Sequence, residues 1–232
     1  GQYGEQHPTT DGNAAENRPT CDLREEEAIH AVDETIPVKA ITAYVYEEFL
    51  QNLNKDFAKR EGLLFVGGFA HPPNADAVLW FAKEVFPKIR EQIKVNFYIV
   101  GSKVTDEIKA LEQPGNGIIV KGFVSEEELA DLYRNCRIVV VPLRYGAGVK
   151  GKVVEAIYNG APIVTTSVGS EGIPDVEKVL LVKDQPDEFA ETVVELYKDE
   201  KRLEDLAEKT QVYIREHFSI DAAWDVIKED FE

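Results

Sequence analysis

Methionine is absent from the 232 residues, cysteine occurs only twice, and bases are outnumbered by acids 26 to 43. Each shortage excludes something. With no Met and a glycine in first place, the chain reads as a piece of a longer protein rather than one that starts at its own initiator. Cys21 in a polar stretch and Cys136 at the end of an apolar helical pattern make no disulfide framework, so a reducing, cytoplasmic setting fits best. No apolar run approaches the roughly 20 residues that cross a bilayer, and the N-terminus lacks the apolar stretch of a secretory signal. A net charge of -17 argues against nucleic acid as a partner, because its phosphates would be repelled. Nothing in the composition fixes an oligomeric state.

The acid excess is not spread evenly. Residues 1–36 hold nine acids and two bases, residues 184–232 hold sixteen and six, and the stretch 37–183 has eighteen of each. The neutral centre leaves room for an anionic small ligand, while the acidic ends read as solvated faces and tails.

Residues 1–36 are polar, rich in turn formers and without period, as a disordered tail or remnant would be. Residues 37–62, with IPVKAITAYVYEEF followed by the charged NLNKDFAKREG, read as an interdomain linker. From Leu63 to the end, apolar runs of about four to six residues alternate with helical patterns: LLFVGG, NFYIVG, GIIVKG, RIVVVP, PIVTTS and VLLVKD. These runs lack polar alternation, as strands buried on both faces require. Between the first two, Val78, Ala82, Val85, Ile89 and Ile93 recur at helical spacing, with Asn74 placed to cap and Pro87 to kink. Ser125 and Glu128 form a capping box, with Leu129, Leu132 and Tyr133 facing inward. A further helix opens near Lys150 and stops at Gly160, and helices follow over 187–198, 200–217 and 220–231. Trp80, Phe81, Tyr98 and Cys136 fall in core patterns, and His71 reads as a turn residue. The alternation predicts an α/β doubly wound parallel sheet of Rossmann-like type.

In such a sheet ligands sit at the carboxyl ends of the strands, where glycine-rich turns bring N–H groups to an anion. Two turns qualify: VGGFAHPPNAD after the first strand, and PLRYGAGVKGK after the fourth. Gly146, Gly151 and Lys152 match the spacing of an ATPase phosphate loop, but Val153 stands where a hydroxyl would ligate magnesium. That loop also follows the fourth strand rather than an early one, and the first strand is followed by no acidic cluster. Triphosphate hydrolase and receiver-domain readings both fall away.

The segments LLFVGGFAHPPNADAVLWF, VKGFVSEEELADLYRNCRIVVVPL and GAGVKGKVVEAIYNGAPIVTTSVGSEGI together resemble the C-terminal, donor-binding domain of family 4 glycosyltransferases, which have the GT-B architecture. The resemblance covers about Leu63 to Gly172. It implies a retaining transferase of hexosyltransferase type, with a nucleotide-diphosphate sugar of UDP or GDP type as donor substrate. No cofactor and no metal are expected. A carbohydrate or glycoconjugate acceptor would be held by an N-terminal domain absent from this chain, as in polysaccharide or glycoconjugate biosynthesis. On this resemblance Lys150 and Glu155 carry the catalytic region, with Glu155 accepting from ribose hydroxyls. Lys152 and Arg144 are further cations for the diphosphate, and Gly146, Ala147, Gly148 and Val149 offer N–H dipoles. Gly67 and Gly68 let the first turn approach the diphosphate, and the edge from Lys121 through Gly122 to Phe123 meets the base through backbone groups, which leaves the base unnamed. Glu171 could line the sugar pocket or cap a turn.

Two departures qualify the likeness. Ala147 stands where many members carry a second Glu near the sugar, and FAHPPN replaces an Arg and a Lys after the first strand. A sugar-nucleotide epimerase of the same architecture would need a carboxylate at that Ala147 position. A non-catalytic module that keeps the fold is the reading from another class.

Overall fold

The computed structural model describes residues 20, 21, 23–35 and 38–231. The six apolar runs form six strands, β3 (Leu63–Val66), β4 (Phe97–Val100), β5 (Ile118–Gly122), β6 (Ile138–Val141), β7 (Ile163–Thr165) and β8 (Leu180–Val182). They are preceded by a two-residue parallel pair, β1 (Thr20–Cys21) with β2 (Lys39–Ala40), which brackets helix α1 (Leu23–Val32). The large sheet is wholly parallel, in the order β5-β4-β3-β6-β7-β8. All four residues of β6 are buried, as its unbroken IVVV demands of a central strand covered on both faces.

The first sheet strand, β3, lies beside the fourth, β6, and the chain runs outward from that line in both directions. This is the topological switch point of a doubly wound sheet, where the loops leaving two adjacent strands part and open a crevice. The two glycine turns singled out in the sequence are the loops leaving β3 and β6.

The helix expected between β3 and β4 forms in three parts: α2 (Pro72–Trp80), a π-helical turn (Phe81–Val85) and α3 (Phe86–Gln92). Pro87, in the first turn of α3, has no N–H to give and its ring crowds the carbonyl four residues back, so the chain widens just ahead of it. Val78, Phe81, Val85 and Ile89 are fully buried. Asn74 does not cap. The N-cap of α2 is His71, exposed and without a capping side-chain bond, while Asn74 lies inside the first turn and its Nδ2 donates to Gly68 O at 2.7 Å.

After β4 comes a single turn, α4 (Asp106–Lys109), and after β5 comes α5 (Glu126–Asn135). Ser125 caps α5 by accepting from Glu128 N at 3.1 Å, but the Glu128 carboxylate turns away to Lys121 Nζ at 2.8 Å, so half of the capping box is made. Helix α6 (Gly151–Tyr158) follows β6 and ends as expected at Gly160, whose φ of +70° suits a left-handed stop. Helices α7 (Pro186–Lys198), α8 (Glu200–Phe218) and α9 (Ile220–Ile227) complete the chain, the last ending short of the expected 231 in a 3-10 turn. Cys136 is free and buried in the core, where burial pushes its thiol up to about 11.

The stretch before Leu63 is more structured than its composition suggests. Within the expected tail 1–36, Thr20–Cys21 pairs as a strand and α1 is helical, while residues 1–19, 22 and 36 lie outside the described residues. Within 37–62, Val38, Phe57 and Arg60 are buried, Tyr46 stacks on Tyr158 at 4.3 Å, and Tyr46 N donates to Phe218 O at 2.8 Å. Arg60 is tolerated inside because its guanidinium donates to three carbonyls, those of Cys136, Asn54 and Tyr133, and lies 4.2 Å over the Phe57 ring.

Candidate anion site at the switch point

The turn leaving β3 is built for close approach. A Cβ at Gly101 would fall 1.9 Å from Gly67 O, so the end of β4 lies directly against the turn and only glycine fits. Gly67 N donates to Val100 O at 2.9 Å, fixing the turn to β4. On its other side, a Cβ at Gly67 would meet Lys152 Nζ at 2.6 Å and the Asn74 amide at 3.0 Å. An ammonium from α6 thus reaches across the crevice to Gly67.

Lys152 makes that reach from the first turn of α6. Its Nζ donates to Asn74 Oδ1 and lies 4.8 Å over the Phe65 ring of β3. Burial, then the neighbouring charge of Lys150, draws its pKa down to about 8. Lys150, at the N-cap of the same helix, curls under its own loop. Its Nζ donates to Gly148 O, to Gly146 O at 3.3 Å and to Glu171 Oε2 at 3.2 Å, and its side chain is only 11% exposed. Two cations thus lie at the start of α6, where the helix N-terminus already carries partial positive charge. Lys150 is answered by the Glu171 carboxylate, whereas Lys152 is held by the neutral Asn74 amide, so an anion arriving beside Lys152 would offset a cost now borne by the fold.

Glu155 lies one turn further along α6. Tyr133 of α5 donates to its Oε2 at 3.3 Å, and burial raises the carboxyl above its usual range while that hydrogen bond works against the rise. Burial first, then the nearby Glu155 charge, lifts both Tyr133 and Tyr46. Glu155 is therefore half-buried, with its carboxylate held by Tyr133 of α5. Glu171 sits on the turn after β7, where Gly172, at φ +74°, packs so closely on Val149 that a Cβ would fall 2.8 Å from its Cγ2. This brings Glu171 to the loop, joined to Lys150.

Three expectations need correction. Arg144 does not point into the crevice: its Nε donates to Asp76 Oδ2 at 2.8 Å, its other nitrogen to Oδ1, and it lies 5.8 Å from the Trp80 ring. A planar guanidinium finds a two-pronged partner on α2 and its charge is used there. Lys121 turns its ammonium to Glu128, while Gly122 ends β5 at φ +69° with its carbonyl accepting from Gly101 N at 2.9 Å. Phe123 of that edge stands open, at 81% exposure. The third concerns the polarity of the loop. Gly146 and Gly148 adopt positive φ, and their carbonyls face the Lys150 ammonium, where N–H groups facing an anion were expected. A nearly buried ammonium needs acceptors, and the carbonyls of its own loop are within reach. Ala147 is exposed at the tip of the loop, and Val149 is half-buried against Gly172. Gly68, whose Cβ would meet Ser102 Oγ at 3.3 Å, accepts from Asn74 and His71 N.

Sequence reasoning missed Asn74, which ties Lys152 to the β3 turn, and Tyr133, which orients Glu155. Tyr133 had a signal: a tyrosine on an inward helix face needs a partner for its hydroxyl. Among the described residues no group of three or more His, Cys, Asp or Glu side chains is placed to hold a metal ion, and no helix is long and apolar enough to cross a membrane.

Comparison with known proteins agrees with this architecture. The chain is 29% identical over 184 residues to an uncharacterized 44.6 kDa protein in the cps region of Klebsiella pneumoniae, covering 75% of this chain and 45% of that protein. It spans less than half the length of that relative. Among solved structures, S. aureus TarM, in complex with fondaparinux, alpha-GlcNAc-glycerol and UDP, superposes with a TM-score of 0.70 at 14% identity, over 91% of this chain and 43% of that one. The pneumococcal O-GlcNAc transferase GtfA, in complex with UDP and GlcNAc, gives 0.65 at 18% identity, over 91% and 44%. These likenesses establish the fold, that of the C-terminal half of GT-B glycosyltransferases. Residues 60–199, spanning every strand of the large sheet and both glycine turns, match the family described as glycosyl transferases group 1, and to that family the chain belongs.

Proposed function

We propose that this chain is the donor-binding half of a retaining glycosyltransferase, which holds a nucleotide-diphosphate sugar of UDP or GDP type without a metal. The observation that carries the reading is the convergence of Lys150 and Lys152 at the switch point, with Gly67 left bare beside Lys152. Transfer breaks the bond between the anomeric carbon and the diphosphate, which leaves with the electron pair, and forms one from that carbon to an acceptor hydroxyl oxygen, whose proton is given up. Its developing charge is what the two ammoniums would stabilise. The diphosphate would replace the carbonyls of Gly146 and Gly148 as the acceptor for Lys150, freeing the loop to turn N–H groups inward. Glu155, held by Tyr133, would accept from the ribose hydroxyls. The UDP found with TarM and GtfA supports this class of ligand. A cytoplasmic place in polysaccharide or glycoconjugate synthesis is in keeping with the cps-region relative.

The acceptor carbohydrate is assigned to an N-terminal domain outside this chain, so the chain is expected to bind donor and to transfer little. Calorimetry with UDP, GDP and ADP, with and without EDTA, tests the proposal. Saturable binding of UDP or GDP that survives the chelator supports it. No binding of any nucleoside diphosphate would instead favour a module that keeps the fold without the activity, and efficient transfer by the chain alone would refute the division of labour.

A further inference from the structure

Resting on the donor-site reading, a chemical feature of the ligand directs attention to Glu171. A nucleotide-diphosphate sugar has a hydroxyl-bearing ring on each side of its diphosphate. Two carboxylates from different elements are available at the loop and its helix: Glu155, one turn along α6 and held by Tyr133 of α5, and Glu171, on the turn leaving β7 and joined to Lys150. The loop itself, from Gly146 to Gly151, offers no side-chain acceptor, since its side chains are those of Ala147, Val149 and Lys150.

The turn that carries Glu171 is anchored at both ends. Thr166 Oγ1 donates to Leu143 O on the chain leaving β6, and it accepts from Gly169 N at 3.2 Å. Ser170 N donates to Thr166 O at 3.1 Å, Ile173 N to Ser170 O at 3.2 Å, and the Tyr213 hydroxyl of α8 to Pro174 O. Asp175 closes the turn at a φ of +48°, a conformation that a non-glycine residue keeps only where its surroundings hold it. Glu171 is thus placed by a braced segment, with its side chain 27% exposed beside a Lys150 that is 11% exposed.

We propose that Glu171 recognises hydroxyls of the donor's sugar, and that Lys150 controls when it can do so. A diphosphate that takes the Lys150 ammonium relieves Glu171 Oε2 of that partner, and sugar hydroxyls then donate to the carboxylate. The sugar is read only after the diphosphate has arrived.

The test is the ratio of Kd for the nucleoside diphosphate to Kd for its sugar conjugate, in the wild-type chain, Glu171→Gln and Glu171→Asp. The probes are UDP, UDP-glucose, UDP-N-acetylglucosamine, GDP and GDP-mannose. For the conjugate that the wild type binds best, the ratio is expected to fall about tenfold in Glu171→Gln, the loss of a charge-assisted hydrogen bond, with partial recovery in Glu171→Asp. UDP or GDP itself should bind as well as before, or more tightly, because a competitor for Lys150 is gone. An unchanged ratio, or equal weakening of nucleotide and conjugate, would overturn the inference while leaving the donor site standing. A wild-type chain that binds none of the probes would instead remove the donor reading beneath it. Melting curves of the near-isosteric Gln variant separate misfolding from lost recognition.

Discussion

The inner mouth of the crevice and its outer rim hold the same kinds of residue and put them to different uses. At the mouth, burial and then the charge of Lys150 depress the pKa of Lys152, and the two ammoniums are satisfied by loop carbonyls, an amide and one carboxylate. At the rim, Arg144 and Lys121 each close an ion pair with a nearby helix acid, Asp76 and Glu128, and remain well exposed. The four cations are indistinguishable as letters. Their fates diverge because Lys152 is met by the Asn74 amide, whereas Arg144 and Lys121 are each met by a helix carboxylate. Charge that remains uncompensated in a crevice can act on a ligand, and charge already paired on a surface contributes little.

The largest test of that contrast is Lys152→Ala, which should weaken UDP or GDP binding by roughly 10- to 100-fold in calorimetry, the worth of a charge-assisted hydrogen bond made out of water. A loss below about threefold would erase the distinction between mouth and rim. Next, Glu155→Gln should cost about tenfold with the ribonucleotide and almost nothing with a 2′,3′-dideoxy analogue, because the carboxylate's partners are then missing. Equal losses with both would move Glu155 from ligand recognition to support of Tyr133.

The depressed Lys152 gives a pH signature. With a free-state pKa of about 8, the ammonium is charged below that pH and is lost above it, so nucleotide affinity should be flat at lower pH and decline above about 8. Stability runs the other way. Between about 8 and the ordinary lysine value of 10.5 the unfolded chain binds more protons at this site than the folded one, so the cost of burying the charge is relieved as pH rises. Lys152→Met should flatten both trends, in titrations and in thermal melts. The smallest effects belong to the rim: Arg144→Ala and Lys121→Ala should each change nucleotide affinity by less than about twofold at moderate salt.

Much of the fold was legible because parallel strands covered on both faces leave unbroken apolar runs, and each of the six runs became a strand. The loops leaving β3 and β6 face each other, with Lys152 reaching Gly67 and Lys150 at the head of the same helix. What could not be read depends on pairing across long stretches of chain. Arg144 and Asp76 are 68 residues apart, and Lys152 and Asn74 are 78 apart, so no local pattern shows which cation will be tied off and which amide will serve as a tether. Burial of a charged side chain is equally opaque. NLNKDFAKREG reads as a charged connection, yet its Arg60 is buried, donating to the carbonyls of Cys136 and Tyr133 in the body and of Asn54 in its own stretch. The tip of the loop was misread in polarity because the letters GAGVKG do not say whether carbonyls or N–H groups will turn toward the lysine.

A practical consequence attaches to Tyr44. The space beside Gly151 at the start of α6 is occupied by that ring, whose hydroxyl would lie 2.7 Å from any added Cβ, and two residues on Tyr46 covers Tyr158 at the other end of the same helix. Trimming the chain to the segment 60–199, where the family likeness is recognised, would strip this lid of tyrosines from the helix that presents both lysines. A shortened expression boundary chosen from sequence alignment would therefore weaken the ligand-gripping helix before any residue of the crevice had been altered.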